Sequence, residues 1–175
     1  MILLLNGPNL NLLGEREPEI YGTTTLADIE NMVRDTCASY GVEVKAIQSN
    51  YEGALVDFLQ EHRKAAQGVV LNPGALGHTS YALHDALKAM NCPVVEVHIS
   101  NVHAREAWRR VSVISPATRG QIVGLGTTGY YLAALWLCNE LAGAAEREVE
   151  PVDVADLEGA EVGEAAPEGA KGEYE

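Results

Sequence analysis

Five short apolar runs, at 2–5, 42–48, 68–71, 94–99 and 121–124, alternate with segments patterned as helices, and this alternation constrains the fold more than any other property of the chain. Strands separated by helix-length segments pair in parallel, because a parallel crossover needs room for a helix, and each helix then covers one face of the sheet. The first helix is predicted to start from Thr25, or Thr24, as its cap, to run through LADIENMVRDTCASY and to stop at Gly41. The second spans 52–66 with Leu55, Phe58 and Leu59 on one face. A third begins near Ser80 and ends before the Asn91-Cys92-Pro93 break, and a short helical turn at 103–108 precedes a last helix at 128–141.

Five β/α units of this kind imply an α/β single domain built on one open, doubly wound, five-stranded parallel sheet, of the flavodoxin-like order. Its loops after the first, third and fourth strands then share one rim. Those loops carry Asn9, Arg16 and Tyr21; then Asn72, Gly74 and His78; then His98, Ser100, Asn101 and Arg105 with Arg109.

Charge separates the chain into two parts. The formal net charge is −13, but residues 146–175 contribute −9 of it and the remaining 145 residues only −4. The tail is rich in Glu, Ala and Gly and has few large apolar side chains to offset the entropy of ordering, so it reads as disordered or transiently helical. The expected organisation is a folded domain over 1–145 and an acidic tail over 146–175. An acidic chain without a basic stripe argues against nucleic acid, and membrane association has no support. Residues 1–5 are too short for a signal peptide or a span and lack a basic flank, so they read as a buried first strand. Cys37, Cys92 and Cys138 lie far apart in sequence, without disulfide-framework or zinc-site spacing, and fit reduced, packed thiols in a cytoplasmic protein.

Residues 6–22 (NGPNLNLLGEREPEIYG) leave the first strand as a polar loop. A tyrosine serves as a base only if its phenolate is stabilised, since the phenol ionises near pH ~10 and a nearby cation lowers that value. Tyr21 lies five residues from Arg16, which suits this purpose, although a surface loop with an ordinary exposed tyrosine fits the same string. Gly14 and Gly22 suggest that the loop closes as a lid. In 72–80 (NPGALGHTS) the backbone amides and the Thr79 and Ser80 hydroxyls can hold an anion at a helix start, or the segment is simply a tight turn. In 95–101 (VEVHISN), Glu96 and His98 are two apart on a strand and share a face, and a carboxylate beside an imidazole favours the charged ring that a proton donor needs, although a polar strand end whose Glu and His only satisfy one another fits the same string. Arg105 and Arg109, spaced i to i+4, can clamp a carboxylate from one helical face, or Arg109 and Arg110 are simply a solvated basic face. The stretch 120–131 (GQIVGLGTTGYY) reads as close strand-to-helix packing rather than a dinucleotide loop. His78, His84, His98, His103 and Asp85 could supply metal ligands but show no metal-site spacing, so a metal is unnecessary, and no cofactor is expected.

These segments, with QSNYEG at 48–53, VEVHISNVHAREAWR and a GxIxGxGxxGY pattern ending at Tyr130, occur together in an order and spacing that resembles the type II 3-dehydroquinate dehydratases over residues 1–143. The resemblance implies a shikimate-pathway hydro-lyase that removes water from 3-dehydroquinate by anti elimination through an enolate, giving 3-dehydroshikimate. It assigns Tyr21 as the base, Arg16 as the group that holds it as phenolate, and His98 as the acid. Asn9 positions a water at the enolate, and Glu96 orients His98. Asn72, Gly74, His78, Ile99, Ser100, Arg105 and Arg109 bind substrate, joined by Asp85 from a neighbouring subunit of a homododecamer built from trimers. Tyr51, Gly77 and Trp108 depart from the usual histidine, threonine and phenylalanine, and Gly77 affects local rigidity near His78. Two other readings stay open: a flavodoxin-like module that binds a nucleotide or phosphate at the same rim, and a metal-dependent hydrolase.

Overall fold

A computed structural model of the chain describes residues 1–15 and 23–143. Arg16, Tyr21, Gly22 and the acidic tail lie outside the described residues. Five strands, β1 (Ile2–Asn6), β2 (Val44–Gln48), β3 (Gly68–Asn72), β4 (Val94–His98) and β5 (Gly120–Val123), form one parallel sheet in the order β2-β1-β3-β4-β5. The helices are α1 (Leu26–Ala38), α2 (Glu52–His62), α3 (Tyr81–Lys88) and α4 (Thr128–Gly143). This is the doubly wound flavodoxin-like arrangement, and the strand order reverses between β1 and β3.

The inner strands β1, β3 and β4 are buried along their whole length because both faces of the sheet are covered. Ile2 and Leu4 of β1 pack with Ile29, Val33 and Cys37 of α1 and Tyr130, Ala133 and Leu137 of α4. Leu3 and Leu5 pack on the opposite face with Leu55 and Leu59 of α2 and Leu83 and Leu87 of α3. Thr25 caps α1 in a reciprocal box, its hydroxyl accepting from the Asp28 N–H at 3.2 Å while the Asp28 carboxylate accepts from the Thr25 N–H at 3.0 Å. The Thr25 hydroxyl, which also donates to Asp28 Oδ2 at 2.6 Å, and then the Thr25 N–H hold the Asp28 carboxyl below its ordinary value.

Several boundaries differ from expectation. The second helix stops at His62 rather than Ala66, where the Ala65 and Ala66 amides both turn back onto the His62 carbonyl. Phe58 lies half-buried at the margin of the face that Leu55 and Leu59 fill. The turn expected at 103–108 is two short 3₁₀ turns, Val102–Ala104 and Ala107–Arg110, separated by Arg105 in extended backbone. The close packing expected at the last strand-to-helix junction is present, since a Cβ on Gly129 would sit 3.1 Å from Val97 Cγ1 and 3.2 Å from Ile122 Cγ2.

Cys37 and Cys138 are distant in sequence, yet α1 and α4 bring their sulfurs to 3.6 Å inside the core as free thiols. Burial first, and then the neighbouring Cys138, push the Cys37 thiol up to about 12. At pH 8 its thiolate fraction is therefore on the order of 10⁻⁴. A thiol-disulfide reagent should leave Cys37 unmodified in native protein and label it at once in denaturant, as counted by mass spectrometry of the labelled peptides.

Tyr130 is fully buried at the start of α4, and its hydroxyl donates to Asn6 Oδ1 at 2.8 Å and accepts from Asn72 Nδ2 at 2.8 Å. Burial pushes its phenol well above the usual range, so it stays protonated and serves as a structural donor. Tyr130→Phe leaves two buried amides short of a partner and should lower stability by about 1–3 kcal/mol, read as a reduced urea midpoint with an unchanged slope.

Candidate active site

Asn6 and Asn72 end β1 and β3 and pair in register, so the loops that follow them leave the sheet side by side at its point of reversal. Glycine lets the two loops touch. A Cβ on Gly7 would fall 2.2 Å from the Pro73 carbonyl oxygen, and Gly74, at φ +57, lies against the Pro8 carbonyl and donates its N–H to Asn72 Oδ1 at 3.1 Å. Asn9 takes a left-handed backbone at φ 68, a conformation that a short amide side chain tolerates, and its N–H donates to Asn50 Oδ1 at 2.9 Å.

A pocket of about 120 Å³ opens at this rim, bounded by the loops after β1, β3 and β4. Asn9, Asn72, Gly74 and His78 line it, together with His98, Ile99, Ser100, Arg105 and Arg109. Ten sequence-predicted residues therefore converge, counting Glu96 directly beneath His98. Asp85 does not join them; it is exposed on α3 and does not line the pocket of its own chain. Arg16 and Tyr21 lie outside the described residues, although the loop that bears them forms the pocket wall at Leu12 and Leu13.

Glu96 and His98 share a face of β4, and His98 Nε2 meets Glu96 Oε1 at 2.7 Å. The carboxylate is fully buried, whereas the ring reaches the pocket. The His98 ring stacks on His78 at 6.0 Å between centroids and 21° between planes, and Trp108 meets His78 edge-on at 5.3 Å. His78 is held in turn by Nδ1 against the Val111 carbonyl at 2.7 Å. Gly77 adjoins the Glu96–His98 pair as well as His78: a Cβ there would stand 3.4 Å from Glu96 Oε1 and 3.6 Å from His98 Cε1. Tyr51, at the start of α2, is 79% exposed.

The two arginines reach the pocket by a route other than a shared helical face. Arg105, in extended backbone, donates from Nη1 to Ser100 Oγ at 3.2 Å. Arg109 donates from Nε to Glu106 at 2.8 Å, and its guanidinium lies 4.0 Å over the Trp108 ring. The Glu106 carboxyl is held below its ordinary value first by its own backbone N–H and then by Arg109. Among the described lining residues there is no carboxylate, so an acidic chain presents a locally cationic pocket suited to a small anion.

The anion site expected at the start of the third helix is differently built. A 3₁₀ turn, Gly74–His78, intervenes, the Thr79 and Ser80 amides bond to the Leu76 carbonyl, and the buried Ser80 hydroxyl caps α3 by accepting from the Leu83 N–H at 2.9 Å. Two residues that touch the site escaped sequence reasoning. Ser112 and Gln121 both donate to Glu96, at 2.9 and 2.7 Å. Gln121 stands opposite Glu96 in the β4–β5 register, a placement that no local sequence signal marks.

Comparison with known proteins points the same way. The family described as dehydroquinase class II matches residues 1–138. A protein named 3-dehydroquinate dehydratase from Variovorax paradoxus is 59% identical over 137 residues, covering 75% of this chain and 94% of its own length. One named catabolic 3-dehydroquinase 2 from Aspergillus flavus is 54% identical over 147 residues, covering 84% of this chain and 98% of its own length. The crystal structure of the type II dehydroquinase from Propionibacterium acnes superposes with a TM-score of 0.76 at 43% identity, over 79% of this chain and 95% of that one. With its fold, its cationic rim and its buried carboxylate–imidazole pair in place, the chain belongs to the class II dehydroquinase family.

Proposed function

We propose that this protein is a hydro-lyase that dehydrates 3-dehydroquinate to 3-dehydroshikimate by anti elimination through an enolate, with Tyr21 as base and His98 as acid. The observation that carries the reading is the His98–Glu96 pair at 2.7 Å, opening onto a small pocket bounded by two guanidinium groups and no described carboxylate. It is supported by membership of a family whose relatives bear the names given above.

The chemistry follows from these groups. A carbon next to a ketone is acidic enough for a positioned base, and Tyr21, kept as phenolate by Arg16, takes its proton and leaves an enolate. The enolate then re-forms the ketone with a new conjugated double bond and expels the β-hydroxyl, which departs as water after taking a proton from His98. Asn9 positions a water at the enolate oxygen. Asn72, Gly74, His78, Ile99, Ser100, Arg105 and Arg109, with Asp85 from a neighbouring copy, bind the substrate's hydroxyls and carboxylate. A Schiff-base route needs a lysine in the site, and Lys45, Lys64 and Lys88 are exposed and do not line the pocket. Membership of the class II dehydroquinase family weighs against the nucleotide-binding alternative.

Adding 3-dehydroquinate to the protein should raise the ultraviolet absorbance of a conjugated enone. Tyr21→Phe and His98→Asn should each lower kcat by roughly 10²–10⁴-fold. Near-normal turnover in Tyr21→Phe would remove the assigned base.

We further infer a cytoplasmic enzyme that assembles as a homododecamer built from trimers, with a folded unit over 1–145 and an acidic tail over 146–175. The three free cysteines suit a reducing compartment, and among the described residues no helix is long and apolar enough to cross a membrane. Assembly is supported by Asp85, which is exposed on α3 beside Tyr81, itself 69% exposed, and is thus available to a neighbouring copy's site. Light scattering on the purified protein should return the mass of twelve chains; a monomeric mass with full activity would remove Asp85 from the site.

A further inference from the structure

The carboxylate behind His98 is held by more than its histidine. Oε1 of Glu96 accepts from His98 Nε2 at 2.7 Å and from Ser112 Oγ at 2.9 Å. Oε2 accepts from Gln121 Nε2 at 2.7 Å and from the same Ser112 hydroxyl at 3.1 Å. Ser112 has a single hydroxyl proton. The Ser115 N–H donates to its oxygen at 3.1 Å, which occupies a lone pair and turns that proton toward Glu96, where it bridges both oxygens. Gln121 stands opposite Glu96 in the β4–β5 register, so its amide meets Oε2 on the same face of the sheet.

Every one of these partners is a donor, so the fully buried carboxylate acts as an acceptor throughout. With Nε2 taken by Glu96, Nδ1 is the ring nitrogen of His98 left to meet a ligand. The orientation of the ring therefore depends on where the carboxylate sits, and that position is set by Ser112, in the loop after the Ala107–Arg110 turn, and by Gln121 on an edge strand, neither of which lines the pocket.

We propose that Gln121 and Ser112 are positioning residues for the proton donor: together they fix the plane and reach of the Glu96 carboxylate so that it grips His98 Nε2 and presents Nδ1 to the departing hydroxyl. This rests on the assignment of His98 as acid made above. Removing either donor lets the carboxylate rotate and loosens the ring, and it slows departure of water more than removal of the carbon-bound proton, which belongs to Tyr21. Gln121 is exposed on its edge strand, so Gln121→Leu opens no hole in the core.

The test compares wild-type protein, Gln121→Leu and Ser112→Ala for dehydration of 3-dehydroquinate in D₂O, with deuterium entry at the carbon next to the ketone followed by NMR and melting temperature measured alongside. Each variant should lose roughly tenfold in kcat with KM within about twofold, the size of a lost hydrogen bond to a charged group. The ratio of exchange to dehydration should rise in both. Wild-type kcat in both variants, or a fall in kcat with no rise in that ratio whatever the melting temperature, overturns the proposal. Inactive wild-type protein overturns the reaction assignment itself; active wild-type protein with unaltered variants overturns this inference alone.

Discussion

The hydroxyl of Tyr130 ties the ends of β1 and β3 together where the sheet changes direction, by donating to Asn6 and accepting from Asn72. At a reversal of strand order the two outgoing loops diverge and leave a crevice, and their relative placement must be fixed if the crevice is to act as a site. A buried phenol with both functions engaged does this from below, while the contact of Gly7 with Pro73 does it from the side. Asn72 extends the chain of bonds to Gly74, so the rim of the pocket is continuous with the core.

Charge is arranged in layers around that crevice. The chain as a whole is acidic, yet the described pocket wall carries Arg105, Arg109 and two imidazoles, and the one carboxylate that matters to it, Glu96, is placed behind His98, where it serves the ring and is screened from an incoming anion. Burying a carboxylate is costly unless hydrogen bonds replace its water, and three side chains supply them here. Glu106 is placed differently, exposed and bonded to Arg109, so it steadies the guanidinium without entering the pocket.

Much of this was legible in one dimension. The alternation of apolar runs and helical stretches specified a parallel, two-sided sheet, the Thr25 cap and the pairing of Glu96 with His98 followed from local periodicity, and a single loop contained both Arg16 and Tyr21. Other features were not legible. The i to i+4 spacing of Arg105 and Arg109 suggested one helical face, but extended backbone at Arg105 breaks the helix, and both side chains still reach the pocket. Ser80 looked like an anion ligand and is committed to capping α3. The adjacency of Cys37 and Cys138 arises only because α1 and α4 lie on the same face of the sheet.

Periods of two and 3.6 residues are properties of neighbouring positions, so the sequence by itself determined the elements, their parallel pairing and the chemical groups on each loop. Tertiary structure alone decided which groups distant in sequence meet. Asn6 with Tyr130, and Glu96 with Ser112 and Gln121, are 124, 16 and 25 residues apart, and contacts at such separations depend on strand register and helix packing, which no local pattern encodes.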